Sequence, residues 1–403
     1  MMKPMRAEVA IVGGAMAGAT LALLLAQRAR IQAADIAVVE PAPAAAPLAD
    51  SPFQLRVSAI SPVNRDLLRD LDVWPRLDTR RIANYDRMLV WHESVPPDSP
   101  DVLRFDAAES GEPDLGSIVE NNALQAALLQ RCAEVGIRVM PASLRALHVS
   151  EDAARLDLDG TPLLTELVVG ADGAASSVRS LLGMEADSRD YAQQAIVATV
   201  RGERSHGQAA RQRFLSTGPL ALLPLPGDAC SIVWSAVNAR ADALLALQPA
   251  DFEAALTDAS AGALGHLHLV SARAAFPLRR LAARQYVQQR VALIGDAAHV
   301  IHPLAGQGVN QGLEDAVALA DALACRPARE SPGALQALQR FQRERRAGNA
   351  LVGATVDALD LLFTGADQLR SWVAGAGMGL VAQSSAARRF LVRQAAGRSS
   401  PRR

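Results

Sequence analysis

Apolar residues follow two different periods along this chain. Residues 7–12 and 36–39 are short, unbroken apolar runs of the kind that form buried strands, and between them residues 20–29 repeat Leu and Ala at helical spacing. The same pairing returns late in the chain. There the run 291–294 reads as a strand, and from Val309 the apolar positions Val309, Leu313, Val317 and Ala320 read as a helix with Glu314 and Asp315 near its start. Short strands are predicted over 87–92, 102–105, 137–140, 146–149, 154–158 and 167–169, and helical patterns over 62–71 and from Asn122 to about Glu134. Residues 196–201, 212–216, 220–225 and 230–235 break this rhythm: strand-forming segments follow one another with Gly/Pro turns between them, the pattern of an antiparallel sheet. A helix over 251–257 and a strand over 273–278 lead back to the run at 291, and the chain beyond 323 reads as helical, with one long segment over 332–363 and more to about 394. The pattern predicts an α/β fold: a Rossmann-type domain from residues 1–85, 106–185 and 285–330, an inserted mainly antiparallel sheet from 86–105 and 186–284, and a C-terminal helical region over 331–403.

Composition narrows the class. Half of the 403 residues are apolar, enough for a large core, and Lys plus Arg (41) against Asp plus Glu (42) argues against a nucleic-acid binder. Cys132, Cys230 and Cys325 are far apart and give neither disulfide nor metal spacing, so no metal is expected and a reducing cytoplasm fits. A strand pattern starts directly after the first residues without a signal-like segment, and no apolar run is long enough to span a bilayer. The expectation is a soluble, cytoplasmic protein.

Candidate chemistry sits at the ends of three strands. After residues 7–12 comes Gly13-Gly14-Ala15-Met16-Ala17-Gly18, then the helix, then a second strand ending in Glu40. Together these make a βαβ dinucleotide unit: tight turn, helix N-terminus for a pyrophosphate, acid for a ribose hydroxyl. Ala15 stands where the fingerprint has its central glycine, and its methyl is expected to weaken binding without abolishing it. After 167–169 comes Gly170-Ala171-Asp172-Gly173, with Arg179 one helical turn on, which suits a dinucleotide or equally a plain Asp-Gly turn with a cap. After 291–294 come Gly295-Asp296 and the turn-rich His302-Pro303-Leu304-Ala305-Gly306-Gln307-Gly308, opening the Val309 helix. An acid there can hold a ribityl or ribose hydroxyl, and the helix N-terminus can stabilise negative charge on a ring. Residues 41–52 form an Ala/Pro-rich loop, expected to be mobile. Arg56, amid small and apolar residues, is either a phosphate ligand or a surface arginine, and the six arginines of 384–403 are either a solubilising tail or a surface for acidic headgroups or an acidic partner.

Taken in order, these blocks resemble the single-component flavin aromatic hydroxylases of the para-hydroxybenzoate hydroxylase class, and among them the ubiquinone-biosynthesis hydroxylases. FQLRVSAIS, VENNALQAAL, GADGAASSVR, RFLSTGPLALLPL, HPLAGQGVNQGLED and RERRAGNALVGATVDALDLLF carry the likeness over nearly the whole chain. The resemblance implies that the Rossmann-type domain binds FAD and that the inserted sheet holds substrate. It implies that Gly13, Gly14, Ala15, Gly18 and Glu40 hold the ADP half, with Arg56 and Asn121 along the pyrophosphate and flavin edge. Asp172 and Gly173 would lie near the FAD and NAD(P)H route, and Gly295 and Asp296 at the ribityl–pyrophosphate region. Pro303, Gly306, Gly308, Val309 and Asn310 would line the flavin ring. Gln307 and His302 are the candidates nearest the chemistry, His302 with an equal claim as a loop-shaping residue.

The implied reaction is hydroxylation of a phenol, with NAD(P)H as a transient co-substrate and O₂ as oxygen donor. Low aromatic content (4%) and Leu/Val-rich strands suit a hydrophobic polyprenyl phenol. Implied partners are a ubiquinone-biosynthesis complex and a membrane surface, the protein lying peripherally at the inner membrane. Three other readings stand: hydroxylation of a soluble aromatic metabolite, flavin-dependent reduction of a prenyl lipid, and a non-catalytic subunit that keeps the fold.

Overall fold

The computed structural model describes residues 4–300 and 307–363 of the chain. A parallel sheet sets the first layer, in the order Val291–Leu293, Thr161–Gly170, Met5–Val12, Ile36–Val39, Arg138–Met140. Their register aligns the carboxyl ends: Val12 lies beside Gly170 and Val39, Gly170 beside Leu293, and Val39 beside Met140. Every residue of Ile36–Val39 is buried, as expected for strands covered on both faces.

Helix Met16–Arg28 covers one face of this sheet. Its residues from Gly18 to Leu25 are all buried, because the helix is roofed by Gln307–Ala324 and Asn121–Glu134. The close approach needs small side chains: a Cβ added to Gly312 would stand 3.3 Å from the Ala17 methyl, and one on Gly295 would stand 3.3 Å from the same methyl. The long helix Leu335–Phe363 opens by inserting Ala337, Leu338 and Phe341 into this same core. Burying Leu338 and Phe341 completely contributes about 1.5–3 kcal/mol each.

A nine-stranded sheet forms the second layer: Arg87–His92, Leu103–Asp106, the four strands between Ala186 and Val237, and Leu267–Leu269, Ala274–Ala283 and His299–Val300. It is antiparallel except where Ala209–Leu215 runs parallel to Arg87–His92. Its long strand Ala186–Gly202 starts well before the apolar run at 196: residues 186–190 are mostly exposed and pair with Ala274–Ala283 through the backbone ladder, with Asp187 also bonded to Arg284 at 3.0 Å. A small third sheet, Val57–Ile60, Gly116–Glu120 and Ala83–Tyr85, joins the two layers. Its apolar face meets the second sheet through Ala59, Ile118, Leu225 and Ala229, with Phe53, Tyr85 and Leu223 at the margin.

Two buried ion pairs hold this joint. Arg65 donates to both carboxylate oxygens of Asp114 at 2.9 and 2.8 Å, and Arg81 makes a two-pronged bond to Glu120 at 2.7 and 2.8 Å. Arg81 also donates to the carbonyls of Leu48, Ala49, Ser51 and Pro52, so the end of the Ala/Pro-rich loop is fastened to the fold. Among the described residues no helix is long and apolar enough to cross a membrane.

Candidate active site

The parallel strands deliver their turns to one edge. Gly13 follows Val12 with φ +104°, a conformation only glycine adopts easily, and a Cβ there would lie 2.3 Å from the Ala171 carbonyl oxygen. A Cβ on Gly18 would lie 2.0 Å from the Gly13 oxygen. Glycine at these positions lets the first turn, the helix start and the Asp172 turn pack on one another. Ala15 caps the helix in extended backbone (φ −74°), its methyl exposed, with no side-chain cap and no acid in the first turn. No side chain of the N-cap takes the first N–H groups of the helix, which leaves them for an anion. Glu40 is held against the turn, accepting from Gly14 N at 2.8 Å and from Ala42 N at 3.1 Å.

The second turn locks to the third. Asp172 Oδ2 accepts from the backbone of Ser177 (2.6 Å) and Val178 (3.2 Å), so the turn-and-cap alternative describes that oxygen. Its Oδ1 is buried without a hydrogen-bond partner, an orphan that a ligand hydroxyl or amide would satisfy. Gly173 takes φ +79°. Arg179 donates to Ala174 O and Ala297 O, both at 2.7 Å, and so ties this turn to the Gly295-Asp296 turn.

The third turn stands on a buried charge network. Gly295 (φ +56°) donates to Asp315 Oδ2 at 2.9 Å, and that carboxylate also bonds His299 Nε2 at 2.5 Å and Arg345 Nε at 2.6 Å. Burial alone would raise the Asp315 carboxyl, but His299 and then Arg345 outweigh it and hold it below the ordinary value. Asp296, beside this network, is exposed by surface area yet has protein packed around most of it. That combination fits a side chain on the floor of an open cleft. Burial pushes its carboxyl up, opposed by His299, Arg56 and Arg279.

Arg56, just before strand Val57–Ile60, and Asn121, which opens helix Asn121–Glu134 after strand Gly116–Glu120, lie side by side at the end of the third sheet. The Arg56 guanidinium lies over the Phe276 ring at 5.6 Å, bridging to the second sheet, and its carbonyl accepts from Asn121 N at 3.1 Å. Ser58 Oγ donates to Asn121 Oδ1 at 2.7 Å, fixing that amide.

At the fourth element, helix Gln307–Ala324, a Cβ on Gly308 would meet nothing within 4 Å, and Val309 packs half-buried on the core. Asn310 also has a structural part. Its side chain accepts from Ser61 N and Asn64 Nδ2 and donates to Ala59 O at 2.9 Å, so it is spent on clamping the third sheet to the helix. Gln307 is described only as the helix's first residue; His302, Pro303 and Gly306 lie outside the described residues.

Three contributors were not foreseen: Asp315 as the anchor of the Gly295 turn, Arg345 as its counter-charge, and Arg279, whose charge bears on Asp296 and Arg179 from the second sheet. The arrangement fits a dinucleotide laid along the sheet edge: two glycines that let the turns close on one another, a helix N-terminus without a side-chain cap, an orphaned Asp172 oxygen, and an acid with two arginines in the cleft.

Comparison with known proteins agrees. A family model described as an FAD binding domain matches residues 6–352. The chain is 40% identical over 363 residues to the 3-demethoxyubiquinol 3-hydroxylase of Escherichia coli, covering 89% of each. It is 36% identical over 395 residues to the ubiquinone hydroxylase UbiL of Rhodospirillum rubrum, covering 97% of this chain and 90% of that one. Among solved structures it resembles PqsL of Pseudomonas aeruginosa, a probable FAD-dependent monooxygenase, with 27% identity, TM-score 0.74, and coverage of 93% and 99%.

Proposed function

The chain belongs to the FAD-binding-domain family, within its ubiquinone-biosynthesis hydroxylases, and from that premise we propose that it hydroxylates the ring of a polyprenylated phenol using NAD(P)H and O₂. When bound, FAD supplies the redox chemistry that activates O₂ for transfer to a ring. The residues of this chain do the rest. The Gly13–Gly18 turn and Glu40 would hold the ADP half, and Arg56 would neutralise phosphate charge across the cleft from Asp296. Asp296, fixed by the turn that Asp315 holds, would accept a ribityl hydroxyl. The N-terminus of Gln307–Ala324 would offer backbone dipoles where negative charge collects on a reduced ring.

The carrying observation is the convergence of the three turns: Ala17 packs against Gly295 and Gly312, and Arg179 spans from Ala174 to Ala297. Support for a polyprenylated phenol comes from the relatives, two of which are named as a 3-demethoxyubiquinol 3-hydroxylase and a ubiquinone hydroxylase. The non-catalytic reading rested on Ala15, and its extended backbone and exposed methyl weaken it. NAD(P)H would enter transiently through the cleft, near Arg279. We extend the proposal to a peripheral position at the inner membrane, where a polyprenyl tail resides, and to docking in a ubiquinone-biosynthesis complex. The arginine-rich segment 384–403 lies outside the described residues.

The test is isotopic. With FAD-loaded protein, a prenylated phenol and either nicotinamide, oxygen from labelled dioxygen should enter the ring and oxygen from labelled water should not. Folded, FAD-loaded protein that puts no label from dioxygen into the ring would refute the hydroxylase reading.

A further inference from the structure

We propose that the second sheet carries a binding site for a divalent first-row transition-metal ion of the zinc class, formed by Glu253, His266 and His268. One ligand atom from each of these residues lies within 4.8 Å of the other two. The expectation of no metal rested on cysteine spacing, and this site uses none.

The fold explains why the three meet. His266 and His268 flank Leu267, which is fully buried on the edge strand Leu267–Leu269. Side chains two apart share a face of a strand, so burying Leu267 turns both imidazoles the other way. Their ring centres lie 4.5 Å apart. Glu253 comes from the adjoining helix Pro249–Ala259. Its Oε1 accepts from Leu269 N at 2.8 Å, which orients the carboxylate and leaves Oε2 toward His268 Nδ1 at 3.4 Å. His266 is fixed through its backbone, donating from N to Glu203 Oε2 at 3.0 Å and accepting at its carbonyl from Glu203 N at 3.1 Å.

Two observations point to an ion rather than to a surface ion pair alone. The His268–Glu253 contact leaves His266 without a purpose, and the buried His266 Nδ1 has no hydrogen-bond partner. A tetrahedral ion with bonds of about 2.0–2.2 Å sets its ligand atoms about 3.3–3.6 Å apart, and His268 and Glu253 stand 3.4 Å apart. His268 is exposed and free to turn, so the remaining gap closes by side-chain rotation. Two imidazoles and a carboxylate are a ligand set for zinc-class ions, and a backbone N–H holding the ligating carboxylate is the outer support such sites use.

The site is separate from the cofactor cleft. Leu267–Leu269 pairs with Val200–Gly202, at the opposite end of the long strand from Asp190, the partner of Arg279. A bound ion there would pin the helix to an otherwise one-sided edge strand.

The experiment is calorimetric titration of the full-length, FAD-loaded protein, stripped with chelator, against zinc chloride at neutral pH. The expected result is one ion per chain with a micromolar or tighter Kd. His268→Asn, at an exposed position, and Glu253→Gln, which keeps an acceptor for Leu269 N, should each weaken it at least about tenfold while flavin content and circular dichroism stay unchanged. Failure of the wild type to bind at micromolar zinc would overturn the proposal. So would equal binding by both folded variants, which would place the ion elsewhere.

Discussion

Replacing Asp315 by alanine is expected to cost the folded protein about 3–5 kcal/mol, the usual consequence of stripping one partner from a buried charge network. Asp315 has no exposed surface, and its two oxygens take bonds from Gly295 N, His299, Arg345 and Asn349. Without them the Arg345 guanidinium keeps Glu314 at 3.1 Å, but His299 and the Gly295 N–H lose their acceptor in the core. The same variant should lose its flavin, because the Asp296 turn hangs on that Gly295 bond. Asp315→Asn retains an acceptor for Gly295 and should fall between alanine and wild type. Urea unfolding followed by circular dichroism, with flavin retention after gel filtration, checks both. An alanine variant within about 1 kcal/mol of wild type would remove the network from the account.

The network also has a pH signature. Asp315 is held below the ordinary carboxylate value, so the folded state binds its proton less readily than the unfolded chain. Its stabilisation is therefore complete above the unfolded value of about 4 and is lost as pH falls through the lower folded value. Acid unfolding of the wild type should steepen below about pH 4, and Asp315→Asn should remove that share of the slope. A variant with the wild-type slope would contradict the assignment.

What was legible in the chain was local. The Gly13, Asp172 and Gly295 turns each announce themselves by an apolar strand run into glycine, with an acid adjacent in the last two and at the end of the next strand, Glu40, in the first, and parallel pairing then brings them to one edge. Arg345 carries no such mark. It sits among Arg343, Glu344 and Arg346 on a helix 30 residues from its partner, and only tertiary packing makes it a buried counter-ion. The Asn310 clamp was invisible for a related reason: the residue lies in a block rich in ligand-type residues, and nothing local says that its amide faces Ser61, Asn64 and Ala59. Residues 186–190 show no apolar period because their strand is held by backbone bonds on an exposed ladder. Glu253 and the two histidines belong to different elements, and no spacing rule joins them.

Exchanging glycine and alanine at two positions of the first turn should have opposite consequences. Gly18→Ala places a methyl 2.0 Å from the Gly13 carbonyl oxygen and 3.0 Å from the Ala171 methyl. The backbone oxygen cannot rotate aside, so the helix must withdraw from the turn. Withdrawal moves the uncapped N–H groups from the pyrophosphate position and loosens the Asp172 turn behind it. Flavin affinity should fall at least about a hundredfold, equivalent to about 2.7 kcal/mol, with the fold retained through the rest of the core. Ala15→Gly works on backbone that is already relaxed, at φ −74° with an exposed methyl. Glycine there gives the pyrophosphate room but adds freedom to the unfolded turn, worth about 0.4–1 kcal/mol. The net gain in flavin affinity should be no more than about threefold. Equilibrium dialysis of FAD against both variants decides the matter. If Gly18→Ala bound FAD as tightly as the wild type, the first turn would not be where the cofactor is held.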